Sequence, residues 1–109
     1  MKKMDYERLT EYLIDARLAA EEASKGEDGG TANLDTMTIR LPRANEKKVI
    51  EVVKAAGLYT SGRTQWMGPC YFIGPPRCGQ GNSRVRANEA MHKIMKDAGY
   101  EALMYRRMD

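Results

Sequence analysis

The sequence predicts an α+β domain, and three observations predict it. Apolar residues recur at three- and four-residue steps in some stretches, alternate with polar residues in others, and glycine or proline stands at the joins. With 109 residues, 42% of them apolar and 30% charged, the chain has the size and balance of one globular domain with a single core, 1–109.

From Asp5 to Ser24, the residues Leu9, Tyr12, Leu13, Ala16, Ala19, Ala20 and Ala23 fall on one face of a helix that Gly26 can end. Residues 27–35 carry adjacent glycines and no period, which predicts a flexible connector and makes this amphipathic helix (1–26) an appendage. Thr36 to Leu41 alternates as a half-buried strand and stops at Pro42. Asn45 then caps a helix with the stripe Val49, Val52, Val53 and Ala56, closed by Gly57. Leu58 to Gln65 and Pro69 to Ile73 are strand segments joined around Trp66-Met67-Gly68, a hairpin. Residues 74–82 hold two prolines and three glycines, so they form a loop. Asn82 or Ser83 caps a third helix, with Ala87, Met91, Ile94, Met95 and Ala98 buried and Gly99 at its end. Tyr100 to Arg107 closes as an alternating strand.

After the first helix the order is therefore βαββαβ over 36–109, the split βαβ order of the ferredoxin-like sandwich, with two helices on one face of a four-stranded antiparallel sheet. The third strand, Cys70 to Ile73, is apolar on both faces. Its second face needs a cover: the N-terminal helix, a second subunit of a homodimer, or a ligand.

No apolar run approaches the roughly 18 residues that cross a bilayer, and the N-terminus turns acidic where a signal peptide turns apolar, so a cytoplasmic protein without membrane contact is expected. Two cysteines and one histidine are too few for a disulfide framework or a structural zinc site, and no metal or cofactor is expected.

Charge is unevenly spread. Residues 1–30 carry five basic and eight acidic side chains, and residues 31–109 carry thirteen and seven. Between Glu51 and Glu89 there is no carboxylate, while Lys54, Arg63, Arg77, Arg84 and Arg86 are present. Such a stretch predicts a contiguous basic surface for an anionic partner, unless the acidic N-terminal helix lies against it.

The expected site is the glycine-rich loop and the helix end after it. Arg63, Arg77, Arg84 and Arg86 supply charge; Gly79, Gly81, Asn82 and Ser83 supply backbone and cap contacts; Trp66 and Tyr71 stack on a base. Arginines in a helix's first turn oppose its dipole, so Arg84 and Arg86 are expected to serve binding and not folding. The loop lacks the Lys-Ser/Thr of a Walker motif and has no GxGxxG. An RNA-recognition module shares the βαββαβ order, but its RNP1 pattern and an aromatic on the first strand are missing, and Phe72 reads as a core residue. Cys78 lies near a helix N-terminus, yet His92 falls roughly 13 Å beyond the cap at 1.5 Å per residue, too far to act as its base. The expectation is a non-enzymatic protein that holds a nucleic-acid strand or a phosphorylated nucleotide. The alternative is a protein–protein inhibitor or adaptor, of the kind mobile elements use against host nucleic-acid-handling or defence enzymes, engaging an acidic protein surface.

Overall fold

The computed structural model describes residues 4–30, 32–76 and 81–106. The elements run α1 (Tyr6–Ala23), β1 (Thr36–Arg40), α2 (Glu46–Ala55), β2 (Arg63–Gln65), β3 (Pro69–Ile73), α3 (Asn82–Asp97) and β4 (Glu101–Tyr105). The fold is α+β, with three helices and one four-stranded antiparallel sheet in the order β2-β3-β1-β4. Strands β1 and β3 are therefore central. No helix among the described residues is long and apolar enough to cross a membrane.

Two helix starts arise from local chemistry: the Asp5 carboxylate accepts the Arg8 N–H at 2.9 Å, and the Asn45 side chain accepts the Lys48 N–H at 3.2 Å. The third start does not. Gly81 occupies the N-cap position of α3, and neither Asn82 nor Ser83 caps it. The Leu58–Gln65 segment shortens to β2, because the chain bends where Thr60 Oγ1 accepts the Gly62 N–H at 3.3 Å.

Met37 and Ile39 of β1, Tyr71 and Ile73 of β3, and Ala102 of β4 share one sheet face through the registers Met37–Ile73, Ile39–Tyr71 and Ile39–Ala102. They are buried in one core with Leu9, Leu13, Ala16 and Ala20 of α1, Val49 and Val53 of α2, and Ala87, Met91 and Met95 of α3. All three helices thus lie on this face. Helix α1 is no appendage: its alanine-rich stripe packs along α3 and touches α2 within the same chain.

Arginines lock the three helices together. Arg8 of α1 donates to the Ala98 carbonyl at the end of α3 (2.7 Å), Arg17 of α1 to the Ala56 carbonyl at the end of α2 (2.7 Å), and Arg86 of α3 to the Ala23 carbonyl at the end of α1 (2.8 Å). Each helix end has unsatisfied carbonyls and a partial negative charge, and each receives a cation from a neighbour.

Candidate functional site

The helix N-terminus expected to hold an anion already holds one of the protein's own. Asp28 Oδ1 accepts the backbone N–H groups of Gly81 and Ser83, both at 3.1 Å, and the Ser83 hydroxyl at 2.5 Å. The Gly29 carbonyl accepts the Asn82 N–H at 2.8 Å, and Asn33 Nδ2 donates to the Gly81 carbonyl at 3.1 Å. Gly81 is needed here because a Cβ at this position would run into the Gly29 carbonyl oxygen. The described part of the 27–35 connector is therefore packed, and its carboxylate takes the place expected for a ligand phosphate.

The arginines of this turn are spent in the same way. Arg86 donates to the Ala23, Lys25 and Glu27 carbonyls at 2.8, 3.4 and 2.5 Å, and lies 3.7 Å from the Glu27 carboxylate. Arg84 donates to the Asp35 carbonyl at 2.9 Å and to Thr36 Oγ1 at 3.3 Å. Arg63 is elsewhere, on the edge strand β2, where its backbone N–H donates to the Glu46 carboxylate at 2.7 Å. Arg63, Arg84 and Arg86 thus do not form one basic surface: the acid-free stretch finds carboxylates and carbonyls from earlier in the chain. Arg77, Cys78 and Gly79 lie outside the described residues.

Alternation assigns the two aromatics of β3 in the opposite sense to the sequence reading. Tyr71, expected to stack on a ligand, points into the core and is 1% exposed. Phe72, expected in the core, pairs with Thr38 and lies on the helix-free face. There it meets Trp66 from the β2–β3 turn and Tyr105 from β4. The ring centroids are 5.9 Å apart for Trp66–Phe72, 5.0 Å for Trp66–Tyr105 and 5.1 Å for Phe72–Tyr105, all edge to face. The three rings are half-buried, and Thr38 and Cys70 on the same face are buried beneath this layer. Trp66 and Tyr105 are stacking candidates by sequence; Phe72, read there as a core residue, becomes one only once the register is known.

The turn that presents Trp66 places Met67 at φ 53° and Gly68 at φ 101°, two successive left-handed residues. Arg40, on the helix-free side of β1, donates to the Met67 carbonyl and braces this turn. At the other end of the face stand Arg84, bonded to Thr36, and Arg106, 3.2 Å from the Asp35 carboxylate. Guanidinium groups therefore flank the aromatic cluster at both ends, with Met67 and Leu103 exposed at its rim.

Comparison of the chain with known proteins adds nothing to this geometry. No family model, curated protein or solved structure matches it.

Cys78, the thiol considered as a nucleophile, lies outside the described residues, and His92, considered as its base, is tied into the fold. His92 Nε2 lies 2.9 Å from the Ala102 carbonyl and ties α3 to β4. Cys70 is buried, and burial pushes its thiol up, opposed by the Trp66 backbone and by the Arg40 charge. Burial also raises Tyr71 and Tyr100, opposed by Arg63 and Arg8 respectively. An acid whose folded pKa is raised holds its proton in the native state after the unfolded chain has lost it, so its contribution is intact below the unfolded pKa and lost above it. Stability is expected to be level up to about pH 9 and to fall as pH rises through the range where free cysteine and tyrosine ionise. Denaturant midpoints measured at neutral and alkaline pH check this; a midpoint unchanged well above about pH 10 contradicts it.

Proposed function

We propose that this is a non-catalytic binding protein that holds a single-stranded nucleic acid on the helix-free face of its sheet, with bases stacked on Trp66, Phe72 and Tyr105. The carrying observation is that aromatic cluster, set on a face that no helix among the described residues covers. Rings on a β surface offer sequence-tolerant stacking, and cations beside them track the phosphates. Arg40 at one end and Arg106, whose side chain is half-exposed, at the other supply those cations. We also assign the sheet to the ferredoxin-like class, on the βαββαβ order after α1 and the central position of β1 and β3.

Trp66 is the chain's one tryptophan, so its fluorescence reports on the proposed face directly. A single strand of about ten nucleotides should quench it at low salt, and affinity should fall steeply as salt rises. Replacing Trp66 by Ala should weaken binding on the order of tenfold, read by anisotropy of a labelled strand. An absence of binding at low salt, or affinity indifferent to salt, overturns the reading.

The exposed Met67 and Leu103 at the rim favour a second reading, a protein partner on the same face, as in an inhibitor or adaptor. That partner would bind with shallow salt dependence and leave the nucleic-acid titration flat.

A further inference from the structure

We propose that the cleft beside the β2–β3 hairpin, where β1 ends and β3 begins, holds a single phosphoryl group between the Tyr71 hydroxyl and the guanidinium groups of Arg63 and Arg40. The cleft measures about 350 Å³ and is lined by Arg40, Pro42, Arg63, Pro69, Tyr71 and Glu101, with Leu41 behind them. Tyr71 forms part of its floor. Among the described residues, the Tyr71 hydroxyl is the buried side-chain polar atom that has no hydrogen-bond partner. A buried orphan of this kind is costly in a folded protein and points to a missing partner. Arg63 stands beside the hydroxyl and acts on it through its charge and a loose side-chain contact, but no well-formed hydrogen bond joins the two. Two donors facing a shared space call for an acceptor, and a phosphate oxygen is an acceptor with no proton to place. Burial keeps the phenol protonated, so it remains a donor.

The two prolines make rigid apolar walls, which limits the cleft to a compact group. Its carboxylates set a second limit. Glu101 lines the cleft opposite Arg40 in the sheet register, and Glu46 accepts the Arg63 N–H close by. Two carboxylates against two guanidinium groups leave the cleft near neutral, so it holds one phosphoryl group through directed hydrogen bonds and not a polyphosphate through net charge.

The phosphate can come free or on a strand. Pro69 directly follows the Trp66–Gly68 turn, and Arg40 both lines the cleft and braces that turn, so the cleft adjoins the aromatic face. A strand lying on that face would bring its terminal phosphate here. This second source, and only this one, rests on the nucleic-acid reading above.

The test uses the whole chain and two variants, Tyr71→Phe and Arg63→Gln. Tyr71→Phe removes the orphan hydroxyl and keeps the ring, so it should fold as well as the parent or better. Inorganic phosphate and a nucleoside monophosphate should raise the parent's melting temperature and bind each variant about tenfold more weakly. If a 5′- or 3′-phosphorylated strand also binds the parent about tenfold more tightly than the same strand without it, and the variants erase that difference, the strand is the source. If free phosphate binds and terminal phosphorylation makes no difference, the source is the free ion or nucleotide. Binding of unphosphorylated strands with no response to any phosphate overturns this inference and leaves the aromatic face standing. Phosphate binding with no strand binding does the reverse. Variants that bind phosphate as the parent does overturn the inference outright.

Discussion

Replacing Asn88 by Ala is expected to lower the stability of the protein by about 3 kcal/mol, the loss of three buried hydrogen bonds at about 1 kcal/mol each. Asn88 is fully buried on the inner face of α3. Its Nδ2 donates to the Asp35 carbonyl at 2.8 Å and to the Arg84 carbonyl at 3.1 Å, and its Oδ1 accepts the Met37 N–H at 3.3 Å. The side chain therefore joins the third helix to the first strand at the point where that strand begins. Alanine cannot reach these groups, and the tight packing around Ala87 and Met91 leaves little room for water to replace the amide. The melting temperature should drop by roughly 12–24 °C, taking 4–8 °C per kcal/mol for a domain of this size. Asn88→Asp should be no milder, since a carboxylate would face two carbonyl oxygens in a buried place. A thermal melt followed by circular dichroism decides it, and a loss below about 1 kcal/mol would mean the amide's bonds contribute little.

Replacing Arg86 by Gln is expected to cost about 2 kcal/mol, within the range for charged hydrogen bonds. Sequence logic points the other way: a cation in a helix's first turn opposes the dipole, so its removal should be neutral or stabilising by roughly 0.5 kcal/mol. The structure reverses the sign because the guanidinium reaches the carbonyls of Ala23, Lys25 and Glu27, where the charge at the end of α1 favours it. Denaturant melts of the single variants separate the two accounts. Equal or higher stability for Arg86→Gln would show the guanidinium to be a solvated bystander. Asp28→Ala, which uncaps α3 from the other side of the same junction, should lose about 1 kcal/mol.

Much of the fold is legible in the sequence because its signals are local. The Val49–Val53 and Met91–Met95 stripes are helical by spacing alone, and Asp5 and Asn45 cap the helices that begin directly after them. Pro42 and Gly57 stop elements where a ladder or a helix cannot continue. The site is less legible, since its logic is long-range. Period two says that Tyr71 and Phe72 face opposite ways, but only the pairing of Ile39 with Tyr71 says which of them meets the helices. Asp28 caps a helix more than fifty residues later in the chain. No pattern within a window reports such a bond, so the arginines and glycine around α3 read as a vacant anion site when the chain itself fills it.

The arginine locks between the helices also set the order in which the chain can fold. Arg17 reaches across 39 residues, Arg86 across 63 and Arg8 across 90 to find the carbonyl each one caps. Closing loops of that length must be done before the contacts return anything, which raises the contact order and slows folding relative to a helical bundle of equal size. During synthesis α1 emerges first, with Leu9 and Leu13 exposed, and has no complete surface to dock on until Ala98 has been added. Helix α1 thus completes its docking only after α3 has been made.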